Sequence, residues 1–580
     1  MKLIHFSSLE NNLNCSKNNN IILSWNLNNN YFKNFKKKEI FYISKIWQRN
    51  KFKVKNKVLS LRINFLSQLH RELNLVHKIN YSKKEWEILL EPWLNIYLSN
   101  IYFRWIVVKE LIKVHKKFHY LEIKIKKEIP VFDTLQFIEF ESNNDVFNHL
   151  IFQNILQFQK QTKHKKKLKK KIFNLDNRFI YKIYTKIKNN MVFVLYEKII
   201  SKIFDIKVLI DIRTKKINFL KLCVKLNILP FKGISIFNRN TLIKISNKNN
   251  FEKKKRLNLN INPKKNNEFD KYIFNQIKND IPRVFIENFS DIKNLHKNQL
   301  DRTKIVVTDT SHKFNPIFKS WLATKKHSNK NFKIITADHG GIYGGKAIYN
   351  YNQAISSIDF KYQKNTLKNQ VSLPCLFLDR NNISFEDKIL IISKDIPKYP
   401  KNILTGPICE EINYEFYHIK KFNETINNVL KKKIFIRPYL AQPGWRPDKK
   451  YKKIIGEKKI IFSSKEYVKL RNSAIIKIVT YPQTAFLECV INGPTFLLFN
   501  PKHYYESKQN EKFMNILFKN KIAFKNGKNL AIHLNQIEKN IQEWWQQKKI
   551  QKSIDLFIKN TNIYDENPTT HWAKNIKKSL

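Results

Sequence analysis

FKIITADHGGIYGGK, residues 332–346, indicates the fold class more clearly than any other stretch. The run Phe332–Ala337 is short, apolar and rich in β-branched residues, which predicts a buried strand. Four of the ten glycines in 580 residues follow it, between positions 340 and 345. Glycine allows positive φ or close approach to a ligand, and the bare amides of such a turn can bind an anion. A strand followed by His339 and a glycine-rich turn is typical of ligand sites on the carboxyl edge of an α/β sheet.

The turn has three interpretations. Gly340, Gly345 and Lys346 match the phosphate-loop spacing G-x-x-x-x-G-K. Ala347, however, occupies the position of the Mg²⁺-binding Ser or Thr, and the residues that follow lack the apolar period of the expected helix. A purely structural turn, in which His339 acts only as a cap, is the second interpretation. We favour the third, a carbohydrate- or phosphate-handling site with His339 as base.

From Pro282 onwards, short apolar strands such as Lys304–Thr308 and Ile460–Phe462 alternate with helical segments, which predicts parallel α/β sheets. Residues Ile475–Asn500 read as strand, turn, helix, turn and strand. Thr484 would place a hydroxyl and free amides at the helix N-terminus, and Glu488 lies one turn further along the same face. These groups suit the diphosphate and the ribose hydroxyls of a nucleotide-sugar. An ordinary crossover in which Thr484 only caps the helix is the alternative.

Arg437 follows another predicted strand, Ile434–Ile436, where its guanidinium could bind a phosphate bidentately. In so basic a chain, a surface arginine is the alternative. No Asp-x-Asp cluster or Cys-x-x-C pair accompanies these groups, so we predict no metal and no cofactor. The scattered cysteines fit reduced thiols in a cytosol. We expect a cytoplasmic protein, because the N-terminus lacks the apolar core of a secretory signal and Leu94–Val108 is too short and too polar to cross a membrane.

The length predicts two or three domains. We divide the chain into an N-terminal region (1–280, with a helical hairpin at about 57–115 and then mixed α/β structure with lysine-rich loops), the rest of an N-terminal Rossmann-like domain carrying the glycine turn (281–402), and a C-terminal Rossmann-like donor-binding domain with terminal helices (403–580).

Local patterns within the N-terminal region predict its elements. The spacing of apolar residues over Leu59–Val76 and Glu85–His115 predicts two helices. Met191–Leu195 and Val208–Ile212 have the character of strands. The lysine blocks His164–Lys171 and Lys253–Arg256 are predicted to be solvated loops.

Seven blocks of the sequence resemble, in order, a family of transferases encoded in bacterial surface-polysaccharide (O-antigen or capsule) gene clusters. The blocks are HKINYSKKEWEILLEPWL (77–94), YFRW (102–105), DVFNH (145–149), VVTDTSHKFNPIFKSWLA (306–323), ADHGGIYG (337–344), IRPYLAQPGW (436–445) and TYPQTAFLE (480–488). That family is similar to the two-domain GT-B glycosyltransferases and, distantly, to the CDP-glycerol glycerophosphotransferases of teichoic-acid synthesis.

The resemblance implies an α/β fold of GT-B type: two Rossmann-like domains facing a cleft, with an extra helical N-terminal region and C-terminal helices. It also implies a transferase that moves a sugar or polyol-phosphate from a nucleotide-sugar or CDP-polyol donor to a saccharide or lipid-linked acceptor. His339, in the His-Gly pair, would be the general base. The candidate donor- and phosphate-binding residues are Gly340, Gly341, Tyr343, Gly344, Arg437, Thr484 and Glu488. Asp338 stands where the family usually has Gln.

The formal net charge of +63 would attract polyanions such as RNA. Lys, Asn, Ile, Phe and Tyr are plentiful while Gly and Pro are scarce, which is the pattern that AT-rich codons impose. We therefore attribute the charge mainly to genome composition, and expect peripheral contact with an anionic membrane as a by-product. No RNA-recognition motif is present, so no specific nucleic acid is expected. A non-catalytic polyanion-binding protein and a degenerate, inactive transferase are the alternative functions.

Overall fold

Three β-sheets, parallel throughout the described part of the chain, form the framework of this computed structural model. The structure describes residues 2–12, 20–28, 39–125, 130–160, 191–247, 251–264, 267–341, 348–364, 367–378, 380, 384–401, 405–439 and 444–580. We refer to the parts built around the three sheets as the N-terminal, middle and C-terminal units.

The N-terminal unit joins a small sheet to a long helical hairpin. Its strands, in the order β3-β2-β1-β4, are β1 (Lys2–His5), β2 (Asn20–Leu23), β3 (Ile40–Phe41) and β4 (Phe118–His119). Its helices are α1 (Ile43–His77), α2 (Lys83–His115), α3 (Thr134–Asn143) and α4 (Asp145–Phe158). The two predicted helices are therefore present, and Pro92 lies inside α2. Among the described helices, none has both the length and the apolar character needed to cross a membrane.

The middle unit contains the predicted strand before the glycine turn. Its sheet runs in sequence order through β5 (Val208–Asp211), β6 (Ile305–Thr308), β7 (Lys333–Ala337), β8 (Ile358–Lys361) and β9 (Gln370–Ser372). The accompanying helices are α5 (Met191–Ile203), α6 (Lys216–Leu226), α7 (Leu242–Asn247), α8 (Lys253–Leu257), α9 (Glu268–Asp280), α10 (Phe289–Asn294), α11 (Ser311–Phe314), α12 (Pro316–Ser328) and α13 (Tyr351–Ile355).

Two predictions in this unit are wrong. Met191–Leu195 is the start of helix α5, not a strand. The first five residues are all apolar, and so short a run fits a buried strand or a helix equally well. The helical spacing appears only over the longer segment, in which Leu195, Ile199 and Ile203 recur every four residues. Lys253–Arg256 lies in helix α8, and its last residue is not solvated. Arg256 is fully buried, and its Nε lies 2.7 Å from Oε1 of Glu287. The other block, His164–Lys171, lies outside the described residues.

The C-terminal unit has the strand order β11-β10-β12-β13-β14. These strands are β10 (Glu386–Ile392), β11 (Ile434–Arg437), β12 (Ala474–Val479), β13 (Thr495–Leu498) and β14 (Ala523–Phe524). Its helices are α14 (Ile412–Thr425), α15 (Asn428–Lys432), α16 (Pro447–Ile455), α17 (Ser464–Ser473), α18 (Thr484–Val490), α19 (Lys508–Lys519), α20 (Gly527–Ile537), α21 (Ile541–Gln546), α22 (Lys548–Thr561) and α23 (Pro568–Lys577). The order reverses at β10, which creates a topological switch point beside its carboxyl end.

The last helix returns to the middle unit. Trp572 of α23 donates its indole N–H to the carbonyl of Pro374 at 2.8 Å. Its ring also packs edge-on against Phe360 of β8, with the centroids 5.1 Å apart. Helix α23 lies against α6. The end of the chain therefore contributes to the core of the middle unit and ties the two larger units together.

Candidate functional site

The carboxyl edges of the middle and C-terminal sheets meet at the glycine turn. The amide of Gly341 donates to Oγ1 of Thr484, the first residue of α18, at 2.9 Å. A Cβ added to Gly341 would lie 2.7 Å from the backbone nitrogen of Thr484, and one added to Gly340 would lie 2.4 Å from Oγ1 of the same residue. Both distances are below those that real Cβ atoms show. The two glycines are therefore needed for the close approach of the units.

His339 lies beside this contact and is fixed through one ring nitrogen. Its Nδ1 is 2.7 Å from Oγ1 of Thr310 and 3.2 Å from Oδ2 of Asp309. An ionised carboxylate only accepts, so a proton on Nδ1 satisfies the contact with Asp309 and leaves Nε2 able to accept a proton. Nε2 receives no hydrogen bond from the described residues, and the side chain is 52% exposed. The ring is thus oriented on one side and accessible on the other.

Asp309 was not predicted as a site residue. It is buried at the end of β6, and Oδ2 accepts the backbone N–H of Arg213 at 2.6 Å. A second carboxyl group, that of Asp211, ends the neighbouring strand β5 and accepts the hydroxyl of Thr308 at 2.9 Å. Burial, together with the charge of Asp309, raises the pKa of Asp211 to about 6. Two carboxyl groups therefore lie at the ends of adjacent strands, and that of Asp309 contacts His339.

Asp338, which directly precedes His339, takes no part in this arrangement. Its Oδ1 accepts Nζ of Lys361 at 2.9 Å, and its Oδ2 accepts the backbone N–H of Tyr362 at 3.1 Å. The side chain is buried against β8. The orienting carboxylate of His339 is thus Asp309, and Asp338 contributes to the packing of the middle sheet.

Glu488 lies between two arginines that the sequence did not single out. Its Oε1 is 3.1 Å from Nη2 of Arg213, in the middle unit, and its Oε2 is 2.7 Å from Nη1 of Arg471, in the C-terminal unit. The Arg213 side chain is 39% exposed. This cluster of two guanidinium groups and one carboxylate bridges the units on the same helix, α18, that contacts the glycine turn.

Three further residues were predicted for the site, namely Arg437, Tyr343 and Gly344. Arg437 donates Nη1 to the carbonyls of Ile461 (3.1 Å) and Phe462 (2.6 Å), and its guanidinium lies 5.3 Å from the centroid of the Tyr467 ring. One edge of this guanidinium group therefore already donates hydrogen bonds to the backbone. Tyr343 and Gly344 lie outside the described residues, as do Gly345, Lys346 and Ala347 of the phosphate-loop pattern.

A cavity of about 250 Å³ opens at the switch point of the C-terminal sheet. Side chains that follow three adjacent strands line it: Lys394 and Asp395 after β10, Tyr439 after β11, and Tyr481 and Gln483 after β12.

Burial lowers the pKa of Lys394 to about 8 and raises that of Asp395 to about 7. Gln483 also precedes Thr484 at the start of α18, so the cavity adjoins the glycine turn. In the described part of the chain, no three His, Cys, Asp or Glu side chains are grouped in a way that could hold a metal ion.

Two parallel α/β units whose carboxyl edges face each other, with a terminal helix that crosses back, define a GT-B-type α/β fold, as predicted. The chain belongs to the LIC12162 family of transferases, whose sequence model matches residues 3–576. The resemblance to a transferase family is thereby confirmed. No curated protein sequence matches the chain.

Solved structures give only distant likenesses. MnaA from S. aureus, determined with UDP, is 9% identical with a TM-score of 0.32, over 50% of this chain and 78% of that chain. MurG from Acinetobacter baumannii is 10% identical with a TM-score of 0.30, over 64% and 99% of the two chains. The trehalose-6-phosphate synthase OtsA is 9% identical with a TM-score of 0.31, over 50% and 75%. Likenesses this distant carry no information about substrates.

Proposed function

We propose that this protein is a glycosyltransferase-like enzyme of bacterial surface-polysaccharide synthesis. It would move a sugar or polyol-phosphate from a nucleotide-activated donor to a hydroxyl of a saccharide or lipid-linked acceptor. The observation that carries the proposal is the geometry of His339, which is oriented by Asp309 and Thr310 and accessible at Nε2. Membership of a transferase family supports the reaction class.

His339 acts as the general base in this reaction. Its Nε2 takes the proton of the acceptor hydroxyl while the acceptor oxygen forms a bond to the anomeric carbon or phosphorus of the donor. The bond from that atom to the nucleotide oxygen breaks, and the electron pair leaves with the nucleotide. The carboxylate of Asp309 stabilises the imidazolium that forms. General-base assistance of this kind contributes roughly 10²–10⁴ in rate.

The donor nucleotide is proposed to occupy the cavity at the switch point, with its phosphates towards the start of α18. Arg213 and Arg471 lie beside this helix and can stabilise the charge of the leaving group. The carboxylate of Glu488 pairs with both guanidinium groups, so donor phosphates would compete with it for them. The role predicted for Glu488, binding the ribose hydroxyls, stays a prediction, as do those of Thr484 and Arg437. We propose a cytoplasmic location and a reaction without a resident cofactor.

Donor class can be tested by a thermal-shift screen of the purified protein against CDP-, CMP-, UDP-, GDP- and TDP-linked donors. A ligand at 100 times its Kd stabilises the fold by about 2.7 kcal/mol, which is readily detected. A clear shift with one donor supports the proposal and names its class. No shift with any donor, together with tight RNA binding that salt abolishes, would favour the polyanion-binding alternative.

The base is tested with the donor so identified. His339→Ala should lower kcat by roughly 10²–10⁴ and leave the donor-induced thermal shift unchanged. Asp309→Asn should lower kcat to a similar extent, because an amide that donates to Nδ1 forces the imidazole proton onto Nε2. His571→Ala is the matched control, since His571 is 54% exposed and also pairs with an aspartate, Asp565. Turnover at the wild-type rate in the His339 variant would exclude this residue as the base.

A further inference from the structure

Helix α5 buries an acidic residue and exposes five apolar ones. Its sequence is MVFVLYEKIISKI, and its one buried side chain among those described is Glu197. The carboxylate of Glu197, with no exposed surface, accepts the backbone N–H groups of Lys232 at 2.6 Å and Ser235 at 2.9 Å. This anchor holds the helix to the middle unit through hydrogen bonds. Ile200 adds an apolar contact with the core, whereas the exposed apolar side chains of the helix take no part in this attachment.

The outward side chains form two neighbouring apolar stripes. Met191 is 78% exposed and Val224, on α6, is 79% exposed. The exposed apolar residues of the two helices are Met191, Val192, Leu195, Ile199 and Ile203 on α5, and Ile217, Leu220 and Val224 on α6. Lys232 joins the two helices, because its backbone N–H donates to Glu197 of α5 and its ammonium lies 4.4 Å from the centroid of the Phe219 ring of α6. We call these eight residues the outer apolar face. Exposed apolar side chains grouped on neighbouring helices in this way are typical of an interaction site.

The charge around this face favours an anionic partner. Lysines alternate with the apolar residues at exposed positions, namely Lys198 and Lys202 on α5 and Lys216, Lys221 and Lys225 on α6. Glu197 is the sole acidic residue of the two helices, and it is buried. A second copy of a chain with net charge +63 would bring like charges together. An anionic lipid surface instead offers phosphates to the lysines and acyl chains to the apolar stripes.

We propose that the outer apolar face docks on the surface of an anionic lipid bilayer, with its apolar side chains inserted at the headgroup–acyl boundary. The face is close to the proposed active site along the chain. Ile217 follows Arg213 by four residues, and Arg213 contacts both Asp309 and Glu488. A lipid-linked acceptor held in the same bilayer would therefore reach the side of the cleft that carries His339. This last point rests on the proposed function, whereas the docking itself does not.

The test is cosedimentation of the full chain with vesicles of phosphatidylcholine and of 70:30 phosphatidylcholine:phosphatidylglycerol. The variant Leu195→Ser/Ile199→Ser/Val224→Ser removes apolar surface without changing charge. Its partition coefficient on the anionic vesicles should fall at least about 100-fold, since three large apolar side chains no longer enter the lipid. At 1 M NaCl, where the Debye length is about 3 Å, wild type should stay partly bound and the variant should be released. Wild type should bind pure phosphatidylcholine far more weakly.

A matched control separates this face from general basicity. Leu75→Ser/Val114→Ser/Val429→Ser removes three equally exposed apolar side chains from other helices and should bind the anionic vesicles like wild type. Equal binding by all three proteins, or equal loss in both variants, would overturn the proposal. So would wild-type self-association, measured by sedimentation velocity, that the Leu195 variant alone abolishes, because the partner would then be a second copy. His339→Ala should keep full vesicle binding, so failure of the transferase proposal is distinguishable.

Discussion

Replacement of Gly341 by alanine tests the contact between the two carboxyl edges. The new Cβ would lie 2.7 Å from the backbone nitrogen of Thr484 and 2.8 Å from the carbonyl carbon of Gln483. Backbone atoms cannot rotate away, so the turn must shift and the hydrogen bond from the Gly341 amide is lost. A lost hydrogen bond of about 1 kcal/mol and overpacking of at least about 1 kcal/mol should lower the free energy of unfolding by about 2 kcal/mol.

The adjacent glycine provides an internal control. A Cβ on Gly340 meets the side-chain oxygen of Thr484 at 2.4 Å, but the next nearest atom, Cβ of that threonine, is 3.7 Å away. Once Thr484→Ala removes the oxygen, Gly340→Ala should lower the free energy of unfolding by less than about 0.5 kcal/mol. That is no more than the deviation from additivity expected of independent substitutions. Gly341→Ala should still cost about 1 kcal/mol or more in the same background, because its clash is with the backbone.

Urea unfolding at 25 °C, followed by tryptophan fluorescence, gives the free energies for both double-mutant cycles. Wild-type stability in Gly341→Ala would refute the argument, since the turn could then not rest on the start of α18. Equal costs for the two glycine substitutions in the Thr484→Ala background would also refute it, because the backbone clash would not distinguish them.

Two further predictions concern the charges of the site. Glu488→Gln removes the carboxylate that neutralises Arg213 and Arg471, so inorganic pyrophosphate should bind about 10-fold more tightly by calorimetry. Weaker binding would show that the arginines do not face the phosphate site. Burial raises the folded-state pKa of Asp395 to about 7, above its unfolded value, so its contribution to stability is present at low pH and is lost as pH rises through 7. Between pH 5 and 7 the free energy of unfolding of wild type should fall by about 2 kcal/mol more than that of Asp395→Asn. Parallel pH profiles from urea titrations would contradict this shift.

The local sequence pattern was sufficient to locate strands that are short, apolar and buried on both faces. Strands β6, β7 and β12 lie where the sequence predicts them, and the α1–α2 hairpin follows from its apolar spacing. The prediction of a strand at the start of α5 was wrong, because five apolar residues of this helix are exposed. A run of apolar residues in a short window does not reveal whether they are buried. The pattern also failed for Ile460–Phe462, which was expected to be a strand and forms only a single bridge from Ile460 to β11.

Only part of the candidate site could be predicted, because its residues come from distant parts of the sequence. His339 follows its own strand and lies next to the glycines in sequence, so one local stretch identifies it. Asp309 lies 30 positions earlier, and its role depends on the parallel register that pairs Thr308 with Thr336. Arg213 and Arg471 meet Glu488 only because two separate sheets face each other. Partners brought together by register or by packing between units cannot be found from spacing along the chain.

The geometry of α18 links donor binding to the contact between the units. Oγ1 of Thr484 already accepts the Gly341 amide, and the carboxylate of Glu488 already holds Arg213. Donor phosphates placed at the start of α18, as proposed, would compete for the same hydroxyl and the same guanidinium. Donor binding should therefore loosen the contacts that now join the glycine turn to α18, and the turn that carries His339 would then adjust to the donor. Because the groups proposed to bind phosphate also join the units, occupancy of the donor site and the position of His339 should be coupled.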